Sequence, residues 1–363
     1  MEYKKMIDPY GSELVEDYEK VVNDFGLEFF DKCKFCNLNR AMRRGVVFAG
    51  RNLDTIADCM SKGKPFYVLS GIMPSGEKIH FGTKHVVENI RYFQEHGAET
   101  YILVADLEAA AARGVSLEEA RKRALDFQIP AYIALGLDPA KTTFYFQSEN
   151  KEVMHFAYTA AKKITLNEFK AVYGSADPGR IMSAVTQVGD ILYPQFKKRM
   201  PGVIPVGIDQ DPHIRLTRDV VNRMKSEKFL PPSSIYHKYT PSLDGSMKMS
   251  KSKPESCIEL PEEIGQVTKK LNRALTGGQD TLAEHREKGA IIEQDMVFEM
   301  LKQHLVDDDE ELNRIYHEYK SGKMTSGEIK KLAIVKMTCF MNNFNQKLQE
   351  ARQEVHKLKF VMF

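Results

Sequence analysis

Apolar and polar positions along this chain follow two alternating rhythms. The run PFYVLSG, from Pro65 to Gly71, is short, aromatic and β-branched, and it ends in glycine like a buried strand entering a turn. Past Gly82 the spacing becomes helical, with Val86, Val87, Ile90 and Phe93 on one face. ETYILVADLE (99–108) reads as a second buried strand and TTFYFQS (142–148) as a third. Between them, VSLEEARKRALDFQIPAYIALGL (115–137) reads as one helix opened by a Ser116-x-x-Glu119 capping box. VIPVGID (203–209) and SSIYHKY (233–239) read as two further strands, after a helical stretch over about 151–200. That alternation predicts a doubly wound, Rossmann-like parallel sheet. Residues 1–60 read as a charged helical extension and 61–255 as the sheet domain. From 256 to 363 the pattern is helical, so a separate all-helical domain is expected there.

Bulk properties narrow the class. The 363 residues carry 52 Lys+Arg against 50 Asp+Glu, so a nucleic-acid partner has to be met by local basic patches, and general DNA binding is not expected. No apolar run reaches the roughly 18–20 residues of a membrane span, and MEYKKMIDPYGSE lacks a signal-peptide core, so a cytoplasmic protein without membrane attachment is expected. Five cysteines fit a reducing compartment. The lone Cys33-x-x-Cys36 has no second pair at zinc-finger spacing, so buried or partly buried thiols are expected there and no metal site. Tryptophan is absent from the chain.

A nucleotide fold needs a phosphate site. The turn after the first strand reads SGIMPSGEKIHFGT (70–83), in which Glu77 breaks the near-match to a P-loop and no dinucleotide fingerprint appears. It carries Pro74-Ser-Gly and then His80-x-Gly82 at a helix start, where backbone amides and an imidazole N–H suit phosphate oxygens. The second feature is GSMKMSKSKPES (245–256), a Lys- and Ser-rich loop between the last strand and the helical region. Composition alone would make it a solvated linker.

Taken together, HFGT (80–83) and Lys248-Met249-Ser250-Lys251-Ser252 resemble the HIGH and KMSKS motifs of class I aminoacyl-tRNA synthetases. VGIDQDPHIRLTRDV (206–220), LTGGQDTLAEHREKGA (275–290), the stretch from DDDEEL to TSGEIKK (307–331) and RRGVVFAGRNLD (43–54) are similar to the tryptophanyl branch of archaeal and eukaryotic type. The resemblance covers about residues 7–350. It implies ATP-dependent activation of L-tryptophan and its transfer to tRNA(Trp), with Mg2+ accompanying ATP. It also implies a homodimer formed through an insertion at about 151–200, and anticodon reading by the C-terminal helices.

By the same resemblance, Gly71, Pro74, His80, Gly82 and Thr83 line the ATP side, Gly207 and Asp209 meet the ribose, and Lys248, Ser250 and Lys251 meet the phosphates. His80, Thr83, Lys248 and Lys251 carry the catalysis. Glu108, Gln187 and Gln210 face the amino acid. Thr83 stands where the HIGH motif has its second histidine. Leu69 and Leu103 stand where the eukaryotic enzymes have a tyrosine and a glutamine near the indole, which leaves Asp190 as the candidate acceptor of the indole N–H. A tyrosine-specific enzyme and a synthetase-like paralogue that binds nucleotide or RNA without charging tRNA are the alternatives.

Overall fold

Each run read as a buried strand forms one. The computed structural model describes residues 18–174, 177–246, 248–249, 253–358 and 360–361. Its strands are β1 (Glu28–Phe29), β2 (Val47–Arg51), β3 (Tyr67–Ile72), β4 (Ile79–His80), β5 (Glu99–Val104), β6 (Thr142–Phe146), β7 (Gly202–Gly207), β8 (Ser233–His237) and β9 (Glu259–Leu260). Seven of them form a sheet in the order β1-β2-β8-β7-β3-β5-β6, and β4 pairs with β9. From β8 to β6 the neighbours are parallel, while β2 on β8 and β1 on β2 are antiparallel. The chain runs outward from β3 to β5 and β6, then returns to β7 and β8 on the other side of β3. That reversal opens a crevice at the carboxyl ends of β3 and β7, where ligands of doubly wound sheets bind.

Two compact units result. One comprises the segments Met1–Glu77, Val86–Lys238 and Glu350–Phe363, and the other Lys78–His85 and Tyr239–Gln349. The chain end therefore does not all go to the helical unit: Val361 N–H donates to the Phe144 carbonyl at 2.9 Å, and Phe360 bridges to Phe144 beside the sheet.

Three local readings change. The extension over 1–60 is not wholly helical. It holds the helices Tyr18–Phe25, Arg40–Arg43 and Leu53–Lys62, but also β1 and β2. Val47, Phe48, Ala49 and Gly50 are buried on both faces, so β2 is apolar up to its last residue, Arg51, and its charged neighbours disguised it. The predicted 115–137 helix breaks into Leu117–Arg123, a π-turn at Ala124–Gln128 and Ile129–Ala134. Pro130 offers no N–H and crowds the carbonyl four residues earlier, and a π-turn absorbs that misfit. Ser116 Oγ accepts from Glu119 N–H at 3.1 Å, while Glu119 turns to Arg123 at 2.8 Å. Finally, Cys33 and Cys36 are both exposed, because Phe35 takes the buried position between them and stacks on Phe30 at 5.1 Å.

The helices Lys151–Ala161, Leu166–Tyr173 and Pro178–Leu192 share a core of Ala157, Ala160, Phe169, Tyr173, Val185 and Val188 with residues from the Asp211–Met224 helix. Gly189 lets two of them touch: a Cβ there would lie 2.9 Å from the Val153 carbonyl oxygen.

Candidate active site

In the sheet unit, the predicted residues fall at or just past the carboxyl ends of the parallel strands, apart from two on the Pro178–Leu192 helix. Gly71 is the exposed fifth residue of β3, and Pro74 is buried in the turn that follows. Gly207 ends β7, and Asp209 and Gln210 lie in the 3-10 turn Ile208–Gln210 behind it. Glu108 is half-buried in the first turn of the Asp106–Arg113 helix, directly after β5. Gln187 and Asp190 lie three residues apart on the Pro178–Leu192 helix. Leu69, Leu103, Tyr145 and Ile191 belong to one core cluster against the same sheet face, and Leu103 pairs in register with Tyr145.

Asp190 is fully buried, and each of its oxygens already accepts one hydrogen bond. Tyr145 Oη donates to Oδ1 at 3.0 Å and Gln147 Nε2 to Oδ2 at 2.6 Å. Burial pushes its pKa up to about 7. The two hydrogen bonds pull the other way, while the charges of Glu108 and Asp106 add to the rise. Burial also raises Glu108, with Arg113 opposing. Beside these carboxylates, Gln147 Oε1 and Gln187 Oε1 are buried acceptors with no protein donor. Spare acceptors and desolvated carboxylates make a donor-poor site, which suits a ligand that brings its own N–H groups.

Sequence reasoning missed Tyr145 and Gln147. They sit in TTFYFQS, legible only as a strand, and their partner is more than 40 residues away.

The helical unit holds the other two motifs. His80 ends β4, which pairs with β9 so that His80 faces Glu259 in register. Gly82 N–H donates to His80 Nδ1 at 3.0 Å, which places the neutral ring's proton on Nε2 and makes that atom a donor. Thr83 is half-buried, in the third position of the Phe81–Glu95 helix. Below it, His85 Nε2 meets Gln303 Oε1 at 3.0 Å, and Thr240 Oγ1 meets His304 Nε2 at 2.9 Å. Met249 is buried and donates its N–H to the Thr240 carbonyl at 2.8 Å, anchoring the lysine loop. Lys248 Nζ lies 4.7 Å from the centre of the Tyr239 ring. Ser250 and Lys251 lie outside the described residues.

A parallel sheet with its crevice at a strand reversal, an imidazole donor before a glycine at a helix start, and an anchored lysine loop define a class I tRNA synthetase. The family model of class I tRNA synthetases (W and Y) matches residues 61–342, and the chain belongs to that family. It is 40% identical over 362 residues to a tryptophan–tRNA ligase of Methanocaldococcus jannaschii, covering 96% of this chain and 97% of that one. It is 39% identical to that of Aeropyrum pernix over 365 residues, covering 97% of each. The crystal structure of the Aeropyrum pernix tryptophanyl-tRNA synthetase matches with a TM-score of 0.89 at 38% identity, over 97% of this chain and 98% of that one. Within the family, the chain's place is with the tryptophan–tRNA ligases.

Proposed function

We propose that this chain ligates tryptophan to tRNA with the residue roles that follow. The tryptophan carboxylate attacks the α-phosphorus of ATP, pyrophosphate leaves, and the terminal ribose hydroxyl of the tRNA then takes the acyl group as AMP departs. No covalent enzyme intermediate is needed, so the protein's task is to position the reactants and stabilise developing charge. Gly71, Pro74, Gly82, Gly207 and Asp209 hold the nucleotide, with Asp209 on the ribose. His80 donates from Nε2 to phosphate oxygen, Thr83 from its hydroxyl, and Lys248, Ser250 and Lys251 close on the phosphates. Magnesium arrives as the MgATP complex.

Glu108, Gln187 and Gln210 receive the amino acid's ammonium and orient its carboxylate, and Asp190 accepts the indole N–H. The observation that carries this reading is the cluster of buried acceptors: two raised carboxylates, Asp190 held by Gln147, and the unpartnered oxygens of Gln147 and Gln187. Each of its acceptors finds a donor in the ammonium and the indole N–H. The chain acts as a homodimer, a reading supported by Tyr158, Leu166 and Met182. These three large apolar side chains, all more than half exposed, lie on the 151–200 helices.

Pyrophosphate exchange into ATP with tryptophan, tyrosine or neither tests the whole reading. Exchange is expected with tryptophan alone, and replacing Lys248 with alanine should slow it about tenfold or more. Faster exchange with tyrosine would overturn the substrate.

A further inference from the structure

Asp211 opens the Asp211–Met224 helix, one residue past the Ile208–Gln210 turn. It is buried, and its carboxylate is saturated with donors. Arg51 Nε donates to Oδ1 at 2.8 Å and Arg51 Nη2 to Oδ2 at 3.0 Å, a two-pronged fork. The Tyr236 hydroxyl donates to Oδ1 at 2.5 Å, and Arg215 Nε stands 3.0 Å from Oδ2 as an ion pair. Arg51, the last residue of β2, reaches further: Nη2 donates to the Phe25 carbonyl at 2.8 Å and Nη1 to that of Gly26 at 3.3 Å. The Arg215 guanidinium lies 5.1 Å from the centre of the Phe25 ring. One carboxylate thus ties together the end of the Tyr18–Phe25 helix, the antiparallel strand β2, and the turn that carries Asp209 and Gln210.

Stability alone is a poor reason for such a cluster. Desolvating two charges costs about what their attraction returns, and apolar residues of similar volume often serve equally well. What the fork supplies and apolar packing does not is a fixed angle and depth.

We propose that Arg51 and Asp211 are positioning residues for the nucleotide site. They set the Ile208–Gln210 turn so that Asp209 presents its carboxylate to the ribose, and they make the N-terminal segment a part of ATP recognition. This rests on the reading of Asp209 as the ribose ligand.

The test is pyrophosphate exchange with ATP varied at saturating tryptophan. The double variant Arg51→Met/Asp211→Leu removes the two most buried charges together; Arg215 loses its ion pair but is partly exposed to solvent and keeps the Phe25 ring, so the fold should stand. It is expected to raise KM for ATP about tenfold or more, with kcat at saturating ATP within about threefold of the parent. Arg51→Lys keeps the charge but not the fork, and should give an intermediate rise. A purely structural role would lower kcat through the fraction of active enzyme and leave KM unchanged, and that result overturns the proposal. Asp209→Ala, run in parallel, separates the two ideas. An unchanged KM for ATP there removes the ribose reading and the proposal with it. A raised KM there beside an unchanged one in the double variant removes the proposal alone. Should the double variant fail to fold, Arg51→Lys decides the matter by the same split between KM and kcat.

Discussion

The ring of His80 occupies the space that a side chain at Gly82 would need. A Cβ at Gly82 would lie 2.8 Å from Cε1 and 2.9 Å from Nδ1, closer than such atoms approach. The same glycine donates the N–H that fixes the imidazole's tautomer. Gly82 is the second residue of the Phe81–Glu95 helix, where alanine would ordinarily add about 0.5–1 kcal/mol of stability. Stability and activity should therefore part company in Gly82→Ala. If His80 serves the phosphates as proposed, adenylate formation is expected to fall about tenfold or more because the ring is displaced, while thermal unfolding stays level or improves. Unchanged exchange kinetics would remove His80 from the phosphate site.

Asp190 makes a prediction with a definite sign in pH. Its carboxyl has a folded pKa raised to about 7, against roughly 4 in an unfolded chain. The folded protein then holds the proton more tightly. The stability this contributes is fully present below about pH 4 and is lost as pH rises through about 7. Asp190→Asn should keep that stability, so its unfolding free energy should be flatter between pH 4 and 7 than the parent's. Binding runs the other way, because only the ionised carboxylate is a pure acceptor for an indole N–H. Tryptophan affinity should improve from pH 6 to pH 8 in the parent. Glu108 titrates upward too, so a residual slope in Asp190→Asn is assigned to the ammonium end. The chain contains no tryptophan, so the ligand's own fluorescence reports binding without an indole background. A pH slope equal in parent and variant would leave Asp190 a structural carboxylate.

The dimer reading also becomes sharper at the level of residues. Within the 151–200 insertion the segments ITLNEF (164–169) and ILYPQF (191–196) are rich in large apolar residues, yet Phe169, Ile191, Leu192, Tyr193 and Pro194 are buried within the chain itself. Of their large apolar residues Leu166 alone is strongly exposed, at 54%, beside Tyr158 at 73% and Met182 at 53% elsewhere on these helices. Charges placed on these three, as in Tyr158→Lys, Leu166→Glu and Met182→Lys, should convert a dimer into a folded monomer by sedimentation. The equivalent change at Val335, an exposed apolar residue of the helical unit at 60%, should not. Equal effects from both, or none from the first set, would locate the contact elsewhere.

The contrast between what could and could not be read along the chain has a physical cause. His80, Gly82 and Lys248 could be picked out as candidates because their pattern is local, and the structure gives that pattern a local geometry: a helix start, a tautomer set two residues away, and a loop anchored by its own Met249. The parallel strands were legible because burial on both faces demands continuous apolar runs. Tyr145, Gln147, Arg51 and Asp211 were not, since each acquires its meaning from a partner brought near by the fold, 160 residues apart for Arg51 and Asp211. β2 escaped because its four uncharged residues, closed by Arg51, carry too little pattern to separate strand from helix. The capping box at Ser116 was half right. The serine caps, but Arg123 offers Glu119 an ion pair one helical turn on.

The basic residues of the helical unit divide into those already engaged and those open to a polyanion. KKLNRA and IKKLAIVK both carry candidates for binding phosphate. Lys270, however, is bound to Glu262 and to the Cys257 carbonyl, Lys330 donates to the Asn272 carbonyl at 2.8 Å, and Lys336 pairs with Glu311 at 2.8 Å. Lys269, Arg273 and Lys331 are exposed. If the helical unit meets the tRNA through these segments, neutralising Lys269, Arg273 or Lys331 should weaken tRNA binding. Each change should also reduce the slope of log affinity against log salt by about one unit or somewhat less, because one phosphate fewer is neutralised. Lys270→Gln and Lys336→Gln should instead lower thermal stability and leave the salt slope as it was. Adenylate formation without tRNA should be untouched by the exposed set, because tRNA takes no part in that step. Filter binding across a salt series, with pyrophosphate exchange as the control, reads all of these quantities. A salt slope unchanged in the triple variant of the exposed residues would move the tRNA-binding surface off these two segments.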